Sequence, residues 1–207
     1  MSGERKVGGA SGGAVVLLIV VALWVFAQRD APDVFVFGDS LSFQSTGNIQ
    51  DLLKSRDLKG KVVSKPGARI GDGLPWVEDE VGGKHPKAIV IALGTNDALL
   101  DSERFRQEWP AITMQIDGIL ELSKDARCVV WVAPVLAEGS DQAQQLIDWV
   151  RQKGPSVHVL DWPAIAQQHG DVFTGDGVHY TAAGQLRFAD AIVREGVQNM
   201  CGVAKAP

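Results

Sequence analysis

The stretch VFVFGDSLSF, Val34 to Phe43, runs four β-formers into a small polar turn, Gly38-Asp39-Ser40-Leu41. Gly, Asp and Ser are ordinary turn residues. The tetrapeptide by itself therefore leaves Ser40 as either a turn serine or a nucleophile presented at the end of a strand. What lies further along the chain decides between them.

Beyond Val34–Phe37, short apolar runs at Lys61–Val63, Ala88–Leu93, Cys128–Ala133 and Val157–Leu160 read as strands. The continuous apolarity of Ala88-Ile89-Val90-Ile91-Ala92-Leu93 suits a strand covered on both faces. Helical stretches are expected between them at Thr46–Arg56, Leu74–Val81, Arg104–Ser123 and Gln142–Lys153. In the third, Trp109, Ile112, Ile116, Ile119 and Leu120 recur at helical spacing, with Pro110 at a start or a kink. A final helix over Ala182–Val197, capped by Thr181, has Leu186, Ala189, Ile192, Val193 and Val197 as its buried stripe. Strands alternating with helices predict a parallel α/β sheet with helices on both faces.

The chain has 207 residues, enough for one domain with a full core, with 45% hydrophobic and 22% charged residues. A net charge of −5 without a basic run argues against nucleic acid as a partner. At the N-terminus, Arg5 and Lys6 precede an unbroken apolar run from Ala14 to Ala27. That pattern predicts a signal peptide or a membrane anchor over residues 1–28, followed by a linker over 29–33. An uncleaved anchor facing outside the cytoplasm is the preferred reading, and a secreted form cleaved after Ala27 is the other. The main domain is expected over 34–200, with a tail over 201–207. Cys128 and Cys201 have no CxxC spacing and no histidines at zinc-finger intervals, so a structural metal site is not expected; no cofactor is expected either. Their pairing stays open, since a disulfide and a buried free thiol fit equally well.

Each predicted strand end carries a polar cluster. Gly38-Asp39-Ser40 follows the first strand, Pro66-Gly67-Ala68-Arg69 the second and Gly94-Thr95-Asn96-Asp97 the third. Asp176-Gly177-Val178-His179 precedes the last helix. In open parallel sheets, sites form beyond the carboxyl ends of the strands. Acyl transfer needs a hydroxyl nucleophile, an imidazole base, a carboxylate to orient it, and donors for the oxyanion. Ser40, His179 and Asp176 can fill the first three roles. The N–H groups of Ser40 and Gly67 and the side-chain amide of Asn96 can supply the donors.

The ordered set GDSL, PGAR, GTND and DGVH resembles the GDSL/SGNH hydrolase superfamily over nearly everything from Val34 onward. The resemblance implies Ser40, Gly67, Asn96 and His179 as the signature residues, with Asp176 completing a triad. It also implies a three-layer α/β/α, flavodoxin-like fold with strand order 2-1-3-4-5, and metal-free hydrolysis or transfer of O-acyl groups. One departure is the missing Asn before Gly67. The PGAR form looks like the variant in domains tied to membrane acyltransferases that O-acetylate envelope polymers. Gly71 is the fallback for Gly67.

Beside these, Asp39 reads as a loop organiser and Asp97 as the residue doing structural work next to Asn96. Arg69 reads as a solvated arginine, and His85, His158 and His169 as surface or core residues. Trp131 reads as core, while Trp76, Trp109, Trp149 and Trp162 read mostly as lying on helical or loop faces. The functional expectation is an extracytoplasmic serine esterase or acyltransferase acting on short O-acyl groups of carbohydrate or envelope polymers. A lysophospholipase or thioesterase is the rival within the class, and a non-catalytic envelope-binding domain the rival outside it.

Overall fold

The computed structural model describes residues 31–203; the expected anchor or signal over 1–28 lies outside them. Among the described residues no helix is long and apolar enough to cross a membrane. Five parallel strands, β1 (Val34–Gly38), β2 (Gly60–Ser64), β3 (Ala88–Ala92), β4 (Val129–Val132) and β5 (Val157–Leu160), form one sheet in the order 2-1-3-4-5. All five lie where the apolar runs placed them, with ends shifted by at most a residue.

Alternate side chains of each strand leave opposite faces. Val34, Val36, Val90 and Val130 pack on one face with α1 (Ser40–Lys54) and with α7 (Ala182–Asp190), which continues in π-helical winding over Ala191–Met200. Phe35, Phe37, Ile89, Ile91 and Trp131 pack on the other. They meet α2 (Ile70–Val81), α4 (Ser102–Leu122) and α5 (Asp141–Arg151). Two short helices, α3 (Thr95–Ala98) and α6 (Trp162–Ala166), follow β3 and β5 directly. Full burial of a Val, Ile or Phe side chain stabilises by roughly 1.5–3 kcal/mol. β1 and β3, buried at every position, therefore anchor the sheet, while the edge strands β2 and β5 turn Lys61 and His158 outward.

The structure corrects four details. Helix α1 starts at Ser40 and not Thr46, because Asp39 caps it by accepting the Leu41 N–H at 2.9 Å. Leu186 is 56% exposed, and Phe188 takes the core place expected of it. Thr181 caps α7 as expected, accepting from Gly184 N. Pro110 sits inside α4 and does not start it. Trp162 is buried, packed edge-on to Tyr180 and Phe188 with ring centroids 5.7 and 5.2 Å away. Cys128 and Cys201 are joined as a disulfide, tying the end of the π-helical segment to the start of β4.

Candidate active site

The register of the sheet brings three of the four clusters to one level. Gly38 stands opposite Ser64 on β2 and Ala92 on β3, so Ser40, Gly67 and Asn96 leave the sheet within four residues of a common line. Strand β1 lies between β2 and β3, and their connecting helices α1 and α2 cover opposite faces, so this line runs across the switch point. Gly38 has a steric reason: a Cβ there would stand 2.1 Å from Ser42 Oγ and 3.3 Å from the Ala92 carbonyl. Only glycine lets α1 turn back this tightly. Ser40 is half-buried in the first turn of α1, where the helix begins.

Asp176 and His179 form a closed unit in the α6–α7 loop. Asp176 Oδ2 is 2.7 Å from His179 Nδ1. Its Oδ1 accepts the Val178 N–H and His179 N–H at 2.9 Å each and the Thr174 hydroxyl at 2.8 Å. The His179 hydrogen bond, followed by the two backbone N–H groups, holds the Asp176 carboxyl well below the usual range. Such a carboxylate stays ionised and fixes which ring nitrogen of His179 faces away from it. The loop is pinned as a small hairpin, with Thr174 N donating to His179 O at 2.8 Å and Thr181 N to Val172 O at 2.9 Å. Tyr180 then roots it in the core, where its hydroxyl accepts the Trp162 Nε1–H at 2.7 Å.

Asp39 and Tyr180, the chain neighbours of Ser40 and His179, line one small internal cavity together with Thr95, Trp162 and Phe188. That shared wall places the Ser40 turn and the His179 loop side by side. Burial pushes the Asp39 carboxyl up to about 6, against the Leu41 N–H and the nearby Thr95 hydroxyl, which pull it down. Its Oδ2 has no hydrogen bond of normal geometry. Burial likewise raises the Tyr180 hydroxyl.

The Asn96 and Gly67 turns are joined directly. Lys65-Pro66-Gly67-Ala68 is a turn closed by Ala68 N donating to Lys65 O at 3.1 Å, with Gly67 at φ +74°, the left-handed value such a turn takes at its third residue. Asn96 Nδ2 donates to the Ala68 carbonyl at 2.9 Å, which commits one of its two amide protons and leaves the other. Asp97 is fully buried; its Oδ2 accepts the Ile70 N–H at 3.0 Å and its Oδ1 the Arg69 Nε–H at 2.9 Å. Burial raises the Asp97 carboxyl by more than these donors lower it. The reading of Asp97 as structural holds. That of Arg69 as solvated does not: its Nη1 also meets Glu108 Oε2 at 2.7 Å, so two carboxylates hold it. Gly71, the fallback glycine, lies within α2 with its open side against Gln115 of α4.

Sequence reasoning missed Thr174, Tyr180 and Glu108. Thr174 could have been found, since a Thr two residues before an Asp commonly closes a turn. Tyr180 and Glu108 carry no local signal. A groove of about 760 Å³ beside α6 and α7 has Leu186, Arg187 and Arg194 in its walls and none of the candidate site residues. Chemistry, not volume, locates the site. Among the described residues no group of three or more His, Cys, Asp or Glu side chains could hold a metal ion.

The sequence profile of the GDSL-like lipase/acylhydrolase family matches residues 36–187. The chain belongs to that family. The O-acetyltransferase OatA of Staphylococcus aureus is 24% identical over 161 residues, 77% of this chain and 24% of that protein. The chain thus spans about a quarter of the length of the curated relatives it matches. Among solved structures, this GDSL-family domain is similar to the C-terminal catalytic domain of Streptococcus pneumoniae peptidoglycan O-acetyltransferase A. The TM-score is 0.62 at 20% identity, covering 86% of this chain and 99% of that one. It is similar also to Axe2, an acetylxylan esterase from Geobacillus stearothermophilus, with a TM-score of 0.63 at 16% identity over 85% and 96% of the two chains. At these identities the structural likeness speaks for the fold, and the site rests on the residues themselves.

Proposed function

We propose that this GDSL-family domain is an extracytoplasmic serine esterase or acyltransferase that moves short O-acyl groups, acetyl above all, on carbohydrate or envelope polymers. The observation that carries the reading is the Asp176–His179 pair at 2.7 Å, whose hairpin shares a cavity wall with the Ser40 turn. In the first half-reaction Ser40 Oγ attacks the ester carbonyl carbon while His179 Nε2 takes the hydroxyl proton. The carbonyl electrons move onto oxygen, and the N–H groups of Ser40 and Gly67 with the second Asn96 amide proton stabilise that charge. Collapse breaks the bond to the alcohol oxygen, which leaves with the proton from His179 and generates acyl-Ser40. Water or an acceptor hydroxyl then gives its proton to His179 and attacks the acyl carbon, and collapse breaks the acyl–Oγ bond as His179 returns that proton to Ser40 Oγ. Asp176 stays ionised throughout and stabilises the imidazolium.

Two further points support the setting. The Cys128–Cys201 disulfide fits an oxidising compartment, and the apolar run before Val34 fits export. The peptidoglycan and xylan acetyl chemistry named for the similar proteins favours a carbohydrate ester. The deciding experiment treats the protein with a fluorophosphonate probe and with p-nitrophenyl esters of increasing chain length. Labelling at Ser40, lost in Ser40→Ala together with acetyl ester hydrolysis, is the expected result. Hydrolysis that survives Ser40→Ala removes Ser40 from the mechanism, and preference for long acyl chains favours a lysophospholipase.

A further inference from the structure

We infer that Arg69 is a positioning residue of this site, locking the Gly67 turn and the Asn96 turn into one body so that both oxyanion donors keep a fixed separation. The inference rests on the acyl-transfer reading above and adds a residue that reading does not use.

Helix α2 begins at Ile70 directly after Arg69, a side chain with no acceptor to offer the first-turn N–H groups. The acceptor comes from another segment: Asp97, 27 residues on, takes the Ile70 N–H at 3.0 Å. A carboxylate buried this deeply needs a partner cation, and Arg69 supplies it through Nε at 2.9 Å. The same guanidinium reaches Glu108 on α4, whose other oxygen holds Arg104 at 2.8 Å. With the Asn96–Ala68 bond, three hydrogen bonds therefore cross between the two turns, and Arg69 is the member braced against the outer helix.

The alternative role for an arginine beside an esterase site is to receive an anionic substrate. Its fork already bridges two carboxylates, so its charge is neutralised locally and its orientation is set by them. Without Arg69, Asp97 would remain buried and uncompensated. Relief then comes by protonation or by displacement of the turn, and either loosens Asn96 relative to Gly67. A displacement near 1 Å at a catalytic group costs on the order of 100-fold in rate.

The test compares the full chain with Arg69→Met and Arg69→Lys. It measures kcat and KM on p-nitrophenyl acetate and the ¹⁵N–¹H signals of the Asn96 side-chain amide. Arg69→Met is expected to lower kcat roughly 10- to 100-fold with KM within about twofold, and to move the separation of the two Asn96 amide protons to that of a free asparagine side chain. Arg69→Lys should fall between, since one ammonium can serve only one of the two carboxylates. A kcat within about twofold of wild type, or a loss carried by KM alone, overturns the inference. If Arg69→Met does not fold, Glu108→Lys sets like charge against Arg69 from a half-buried position on the outer helix, and the same outcomes apply. An inactive, unlabelled wild type would refute the acyl-transfer reading, while the Asn96 signals would still report on the lock.

Discussion

His179 receives Asp176 twice: through its ring, with Nδ1 2.7 Å from Oδ2, and through its own backbone N–H, 2.9 Å from Oδ1. One carboxylate thus fixes both where the imidazole sits and which way it faces. Asp176→Asn should preserve the backbone contact at Oδ1 but present an N–H to Nδ1, favouring the wrong tautomer. The expected kcat on p-nitrophenyl acetate falls on the order of 10²- to 10⁴-fold, with a melting temperature close to wild type. Equal activity in the variant would place the base elsewhere.

The buried Asp39 carboxyl predicts an unusual pH dependence of stability. Its folded value, about 6, lies above the ordinary aspartate value of 3.8, so between those pH values the native state binds more protons than the unfolded chain. Stability from this group is therefore fullest below about pH 4 and is lost as pH rises through 6, by roughly 3 kcal/mol as an order of magnitude. Asp39→Asn keeps an acceptor for Leu41 N–H and cannot titrate. Urea unfolding from pH 4 to 7 should show wild type losing stability relative to Asp39→Asn across that window. Parallel profiles would refute it.

Asp176 works in the opposite direction. Its depressed carboxyl contributes stability that is present above the normal carboxylate range and lost on acidification, so the hairpin is expected to loosen at low pH. Amide protection at Val178 and His179, measured against the intrinsic exchange rate at each pH, should be high near neutrality and fall in acid; pH-independent protection there would not fit.

The disulfide closes a loop with a sequence separation of 73. Loop-closure entropy assigns such a bridge about 4 kcal/mol. The Cys128→Ser, Cys201→Ser double variant should unfold about 10 °C earlier while retaining esterase activity at room temperature, because the bridge lies at the opposite end of β4 from the site. An unchanged melting temperature would mean the reduced chain holds this end equally well.

Helical phase gives a sharper contrast. Leu186→Ala should change stability by less than about 0.5 kcal/mol, whereas Phe188→Ala, which removes a ring packed on Trp162 and Tyr180, should cost about 3–5 kcal/mol. Chemical denaturation of the two variants side by side decides it.

The three central strands were readable because parallel strands covered on both faces leave continuous apolar runs, and the edge strands β2 and β5 because short β-branched runs survive around the outward Lys61 and His158. Ser40 and Asn96 stood out as candidates because polar residues break those runs at one end, and Asp176 and His179 because an acid and an imidazole stand three residues apart just before the last helix. Other features depend on partners distant in the chain. Asp39 looked like part of a turn because an N-cap uses turn chemistry, and its helix starts one residue later. Leu186 fitted a 3.6-residue period carried back from Val193, but the helix widens to π winding beyond Asp190 and the period does not carry through it. Arg69 looked solvated because neither Asp97 nor Glu108 stands near it in sequence.

The trans cap on α2 also sets an order of events in time. As the chain emerges from its N-terminus, α2 is made before residue 97 exists, so Asp72 caps the Arg69 N–H from within the helix while the Ile70 N–H still lacks its side-chain acceptor. The acceptor arrives only once β3 has docked beside β1, a contact of long range and correspondingly slow closure. Until then β1–β2 pairing sets the Gly67 turn beside the Ser40 turn, but nothing ties it to Asn96. A nascent chain paused before residue 97 holds the Ser40 and Gly67 turns without their Asn96 partner, and the Asp176–His179 hairpin comes later still.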